Sequence, residues 1–82
     1  MSYYKYKARY AYGITIVEIV PTVLPLSTDF RDMIKFADTH FQLNKMNGVK
    51  VHKDSINFES KYKDNKDLAK GFMKEYRDSY LN

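Results

Sequence analysis

Two histidines and a run of tyrosines alternating with cations are the residues of this chain best equipped for chemistry. Acid–base catalysis needs its titrating groups within hydrogen-bond reach of one substrate. His40 falls late in a helical pattern beside an apolar stripe, and His52 falls on the polar side of a strand pattern. Nothing in their spacing brings them together. The plain reading is a half-buried helix histidine and a surface strand histidine. The catalytic alternative is a small, toxin-like, metal-independent ribonuclease using His40 or His52 with Lys and Tyr. No Ser or Lys sits in a nucleophile motif, and the dispersed carboxylates form no calcium-type repeat. Gly13, Gly48 and Gly71 stand singly, so there is no phosphate-cradling loop. With no Cys, disulfides and thiolate metal sites are excluded. Neither a catalytic residue nor a metal or other cofactor is expected.

The tyrosine run carries the alternative chemistry, which is binding. Tyr4, Tyr6, Ala8, Tyr10 and Tyr12 fall on one parity, and Lys5, Lys7 and Arg9 on the other. A period of two is a strand, here with an aromatic face and a basic face. Cations neutralise phosphates, and aromatic rings stack on unpaired bases. In this alternation, however, rings and charges point to opposite sides. Tyr4, Tyr6, Tyr10 and Tyr12 then build the core beneath a charged solvent face, and nucleic acid would be held by its phosphates with little base reading.

The elements that position these residues follow from periodicity. After Gly13, the segment Ile14 to Val20 is a β-branched strand, apolar except at Glu18. Gly13 marks either a hairpin turn or a bulge in one bent strand; the hairpin is preferred, because a strand of some 17 residues is far longer than usual. Pro21 and Pro25 keep the next stretch extended. Its Val23, Leu24 and Leu26 either cover one end of the core or meet a partner. Ser27 or Thr28 caps a helix whose stripe is Phe30, Met33, Ile34, Ala37 and Phe41. Asn47-Gly48 is a turn signal. Strands over 49–53 and 56–60 form a second hairpin around Asp54-Ser55. A two-residue loop there sets Val51 opposite Phe58, Lys50 opposite Glu59 and His52 opposite Asn57. Asp64 or Asn65 starts the last helix, with Leu68, Ala69, Phe72, Met73, Tyr76 and Tyr80 buried. Lys66, Lys70, Lys74, Arg77, Asp67, Glu75 and Asp78 form its solvent side. Gly71 within it is read as a mark of close helix–sheet contact. The expected fold is one α+β domain over 1–82. It is an antiparallel four-stranded sheet with two helices on one face, in the order β-β-α-β-β-α.

The chain has 82 residues and a net charge of +4, which bounds it to one domain with a thin core. Segment 1–17 carries +3, 18–43 carries −2, 44–53 carries +3, and 54–82 is neutral. No apolar run approaches the roughly 20 residues of a membrane span, and no hydrophobic leader opens the chain. A cytoplasmic protein with no membrane partner is expected. Eight tyrosines in so small a domain, with Val23, Leu24 and Leu26, suggest an interface, and a homodimer is one candidate.

The chain is rich in Lys, Tyr, Asn and Asp, has four Ala, and opens Met-Ser-Tyr-Tyr-Lys-Tyr-Lys. In composition and size it resembles the small early and counter-defence proteins of large tailed phages. That resemblance implies a stoichiometric binder of a host target, such as a nuclease toxin or another defence protein. The leading expectation is a non-catalytic protein whose basic sheet face contacts RNA or the acidic surface of a host protein. Lys5, Lys7, Arg9, Lys45, Lys50, His52 and Lys53 would carry that contact. A protein interface would use Tyr3, Val23, Leu24, Leu26 and Tyr80.

Overall fold

The computed structural model describes residues 2–44 and 48–81, without the side chains of Asn44, Tyr80 and Leu81. Strands β1 (Tyr4–Ala11) and β2 (Ile14–Pro21) are followed by helix α1 (Thr28–Asn44). Strands β3 (Val49–Val51) and β4 (Ile56–Phe58) and helix α2 (Asn65–Leu81) complete the chain. The four strands form one antiparallel sheet in the order β1-β2-β4-β3. The α+β class and the β-β-α-β-β-α order are those the periodicities imply.

Gly13 closes a hairpin. Ala11 pairs with Ile14, so the loop is Tyr12-Gly13, and both residues have positive φ, 56° and 77°. Two positive φ values are the signature of the two-residue turn whose twist matches that of paired strands. Thr22 extends the ladder past the strand ends: its N–H donates to the Tyr3 carbonyl at 3.3 Å and its hydroxyl to the Ser2 carbonyl at 2.9 Å.

Both helices are capped by side chains that the sequence offers. The Ser27 hydroxyl accepts from the Phe30 N–H at 3.1 Å. The Asp64 carboxylate accepts from Lys66 N–H at 2.9 Å and Asp67 N–H at 3.4 Å. These bonds satisfy amide donors that have no partner within their own helix.

The second hairpin departs from the expected register. Val49 lies opposite Phe58, Lys50 opposite Asn57, and Val51 opposite Ile56. His52 and Lys53 are not in a strand; they belong to a four-residue turn, His52 to Ser55, closed by the His52 N–H on the Ser55 carbonyl at 2.8 Å. Asp54-Ser55 cannot easily supply the two positive φ angles of a two-residue turn, and the longer turn needs none. The slip is two residues, so every side chain keeps its face, and both valines now oppose apolar partners.

The core is a single cluster between the sheet and the helices. Val17, Ile19, Ile56 and Phe58 form its floor, and Phe30, Met33, Ala37, Phe41, Ala69, Phe72, Met73 and Tyr76 its roof. Helix α2 lies over β2 and β4, and α1 leans over β3. Asn65, the one buried polar residue described, straps the first turn of α2 to both neighbours. Its Nδ2 donates to the Thr15 carbonyl at 2.7 Å and the Ser60 carbonyl at 3.2 Å, and its Oδ1 accepts from Ser60 N–H at 2.8 Å.

Gly71 is not a close-contact glycine. It is exposed, and a Cβ added there would meet nothing within 4 Å. Gly48 is the crowded one: its φ is +86° and an added Cβ would lie 2.8 Å from Ser60 Cα. Gly71→Ala is therefore expected to stabilise the protein by about 0.5–1 kcal/mol through helix propensity. Gly48→Ala should destabilise it by more than about 1 kcal/mol, through backbone strain and a backbone clash. Thermal melts check both, since about 1 kcal/mol moves the midpoint of a domain this size by roughly 4–8 °C.

Candidate functional site

Strand β1 is the site's frame because it is exposed over most of its length. It is an edge strand, its only neighbour among the described residues is β2, and residues 5–10 are exposed on both faces. The expectation that its tyrosines fill the core is corrected here. Tyr3 and Tyr4 do pack against the core. Tyr6 is 40% exposed, Tyr10 77% and Tyr12 92%. The parity is nevertheless as expected, because Tyr6 pairs with Ile19 and Ala8 with Val17, two core residues. The aromatic face does turn toward the helix layer, but that layer is centred on β2, β4 and β3 and stops short of β1.

The opposite, open face carries the expected cations, in a divided arrangement. Arg9 leaves its ladder partner Ile16 and reaches diagonally to Glu18, Nε to Oε1 at 3.1 Å. Lys50 leaves Asn57 and reaches diagonally to Glu59, Nζ to Oε2 at 3.2 Å. Among the described residues Lys5 and Lys7 have no carboxylate partner. Lys50 is separated from the β1 cations by two strands, with Glu18 and Asn57 between, and His52 and Lys53 lie beyond it in an exposed turn. The seven residues named for partner binding thus do not form one patch. Lys45 lies outside the described residues. Asn57 adds an unsatisfied acceptor: its Oδ1 is buried and has no hydrogen-bond partner.

The residues expected at a protein interface are also split. Tyr3 and Leu26 are half-buried against the core. Val23 and Leu24 are 57% and 77% exposed on the loop before α1. The side chain of Tyr80 lies outside the described ones.

The histidines stay apart. His40 is half-buried between the helices, stacked on Phe36 with ring centroids 5.6 Å apart, and its Nε2 meets Glu75 Oε2 of α2 at 3.0 Å. It lines a shallow groove of about 180 Å3 with Phe41, Asp67, Leu68, Gly71, Phe72 and Glu75. His52 lies in the β3–β4 turn. Among the described residues no group of three or more His, Cys, Asp or Glu is placed to hold a metal ion, and no helix is long and apolar enough to cross a membrane.

On helix α2 the charged residues that the sequence places together on one solvent side separate by sign. At about 100° per residue, Lys66, Lys70, Lys74 and Arg77 fall within one arc of roughly 80°. Asp67, Glu75 and Asp78 fall within the next arc of roughly 80°. Asp67 and Glu75 line the groove against α1, so Lys66, Lys70 and Arg77 turn the other way, toward β1. The segment's zero net charge concealed this; plotting its charges around the helix would have revealed it.

Arg77 lies close enough to Tyr6 to act on its ionisation. Partial burial pushes the Tyr6 phenol up to about 12, the nearby Tyr4 hydroxyl adds to the rise, and Arg77 opposes it. The Tyr4 and Tyr6 rings meet edge to face with centroids 5.6 Å apart.

No family model, no curated protein and no solved structure matches this chain.

The raised phenol sets a stability trend. The native state keeps the Tyr6 proton between pH 10 and about 12, while the unfolded chain releases it. The stabilisation is whole below pH 10 and is lost as pH rises through that window. Denaturant midpoints should fall over this range, and Tyr6→Phe should flatten that fall.

Proposed function

We propose that this is a non-catalytic binding protein that holds RNA against its first hairpin. The observation that carries the reading is the exposure of β1. An eight-residue edge strand bears Lys5, Lys7 and Arg9, contains no carboxylate, and is uncovered on both faces along most of its length. A strand left bare on both faces contributes little to its own domain's burial, which favours a role outside the fold. Among the described residues Lys5 and Lys7 make no ion pair, although Glu18 stands across the ladder from Lys7 and pairs with Arg9, and Arg9 can exchange Glu18 for a phosphate. A catalytic reading has less support, because each histidine sits in a separate setting.

A second copy is a poorer occupant of β1 than an anion. Antiparallel pairing of β1 with a second copy of itself about Lys7, the register that keeps like faces together, sets Lys7 against its own copy and Lys5 against Arg9, and like charges opposite one another destabilise a sheet. An acidic protein strand would fit the same edge by adding to the ladder. This is the second reading, and it is the one that agrees with the resemblance to early phage proteins.

RNA binding is measured by fluorescence anisotropy across a salt series. The expected result is a linear fall of log K with log salt, with a slope of about −0.7 for each phosphate contacted on a single strand. Lys5→Glu with Lys7→Glu should weaken binding at least tenfold while the circular dichroism stays native. Salt-independent binding, or a complex unaffected by the double reversal, would refute phosphate contact on the open face. Binding to an acidic peptide strand in the absence of RNA would instead favour the second reading.

A further inference from the structure

We propose a second contact surface on the helix side of β1: a trough, floored by tyrosines and walled by the cationic side of α2, that takes an unpaired stretch of nucleic acid. The proposal rests on the nucleic-acid reading above and assigns it a different face.

The trough follows from two anchors. At one end the Asn65 side chain ties the start of α2 to the Thr15 carbonyl, and Thr15 is the ladder partner of Tyr10. At the other end Arg77 comes within electrostatic range of Tyr6, whose ladder partner is Ile19, and α2 lies over β2 between the two ends. Helix α2 therefore runs alongside β1 in the opposite direction. From residue 66 to residue 77 the helix rises about 16 Å, at roughly 1.5 Å per residue. From Tyr10 back to Tyr6 the strand covers about 13 Å, at roughly 3.3 Å per residue. The two lengths agree to within one strand residue, so these rises set Lys66 near the level of Tyr10, Lys70 near Ala8 and Arg77 near Tyr6.

The floor and wall are chemically matched to a single strand. Tyr6, Ala8 and Tyr10 share one face, so two rings flank a small gap. Lys66, Lys70 and Arg77 are exposed, while the acids of α2 lie around the helix from them. Rings that stack on bases and cations that meet phosphates thus share one surface, which is the arrangement that binds unpaired strands without sequence preference. A duplex keeps its bases stacked on one another and cannot use the rings. An acidic peptide would use the cations but gain little from two separated tyrosines.

The test uses the full chain with a short fluorescent oligouridylate, free or annealed to oligoadenylate. The single strand should bind more tightly than the duplex. Tyr10→Ala should weaken single-strand binding by roughly 5- to 150-fold, the range of base-stacking losses, and Tyr10→Phe should restore it. Lys70→Gln should lower the salt slope by about 0.7. Tyr10 and Lys70 are exposed, so native circular dichroism is expected in each variant. Loss in these variants, whether or not the Lys5/Lys7 reversal also weakens binding, places a contact in the trough. Loss only in the Lys5/Lys7 reversal, or equal binding of duplex and single strand, overturns the trough and leaves the function standing. No binding of either probe overturns both.

Discussion

The helix layer settles where the sheet is most apolar, and most of this protein's character follows from that. Ile16, Val17 and Ile19 of β2 and Ile56 and Phe58 of β4 are the best-buried positions of the sheet. Burial of such side chains is worth about 1.5–3 kcal/mol each. Two amphipathic helices maximise that gain by centring on the inner strands. Alternating with lysine, β1 offers only one face, and that face begins with tyrosines whose hydroxyls need partners. It therefore stays at the edge with its far half uncovered.

Short polar contacts then lock this off-centre arrangement. Asn65 sets the start of α2 against Thr15, and Asp64 caps the same turn. A buried amide that makes three hydrogen bonds tolerates little displacement, since any slip leaves a polar group unsatisfied. The Glu59 N–H bonds the Gly48 carbonyl where β3 and β4 meet, and Gly48 has no room for a side chain there. The short β3–β4 hairpin is thus held by packing and by its turn and β2 by the core, while β1 is held mainly by its ladder to β2.

Charge is distributed by the same geometry. On the open face Glu18 and Glu59 neutralise Arg9 and Lys50, so the basic character of that surface is concentrated at Lys5 and Lys7. On the helix side, the cationic arc of α2 turns toward the bare tyrosines, and its acidic arc turns toward α1 and His40. Both surfaces beside β1 are cationic, and one of them is aromatic as well.

Periodicity in the chain was sufficient for the element order, for each helix cap to within two adjacent residues, for a break at Gly13 and for the face on which each β1 side chain lies. These are local properties, set by backbone sterics and by the alternation of apolar and polar residues. The slip in the second hairpin was not legible, because a shift of two residues preserves every face and leaves the pattern unchanged. Nor was the exposure of Tyr10 and Tyr12. A parity pattern says which way a side chain points, but whether anything lies above it depends on where the helices dock across the sheet. The contact of His40 with Glu75, and the nearness of α2's cations to the tyrosine row, arise from residues far apart in the chain. Only tertiary structure decided them, because Coulombic and packing interactions depend on separation in space rather than along the chain.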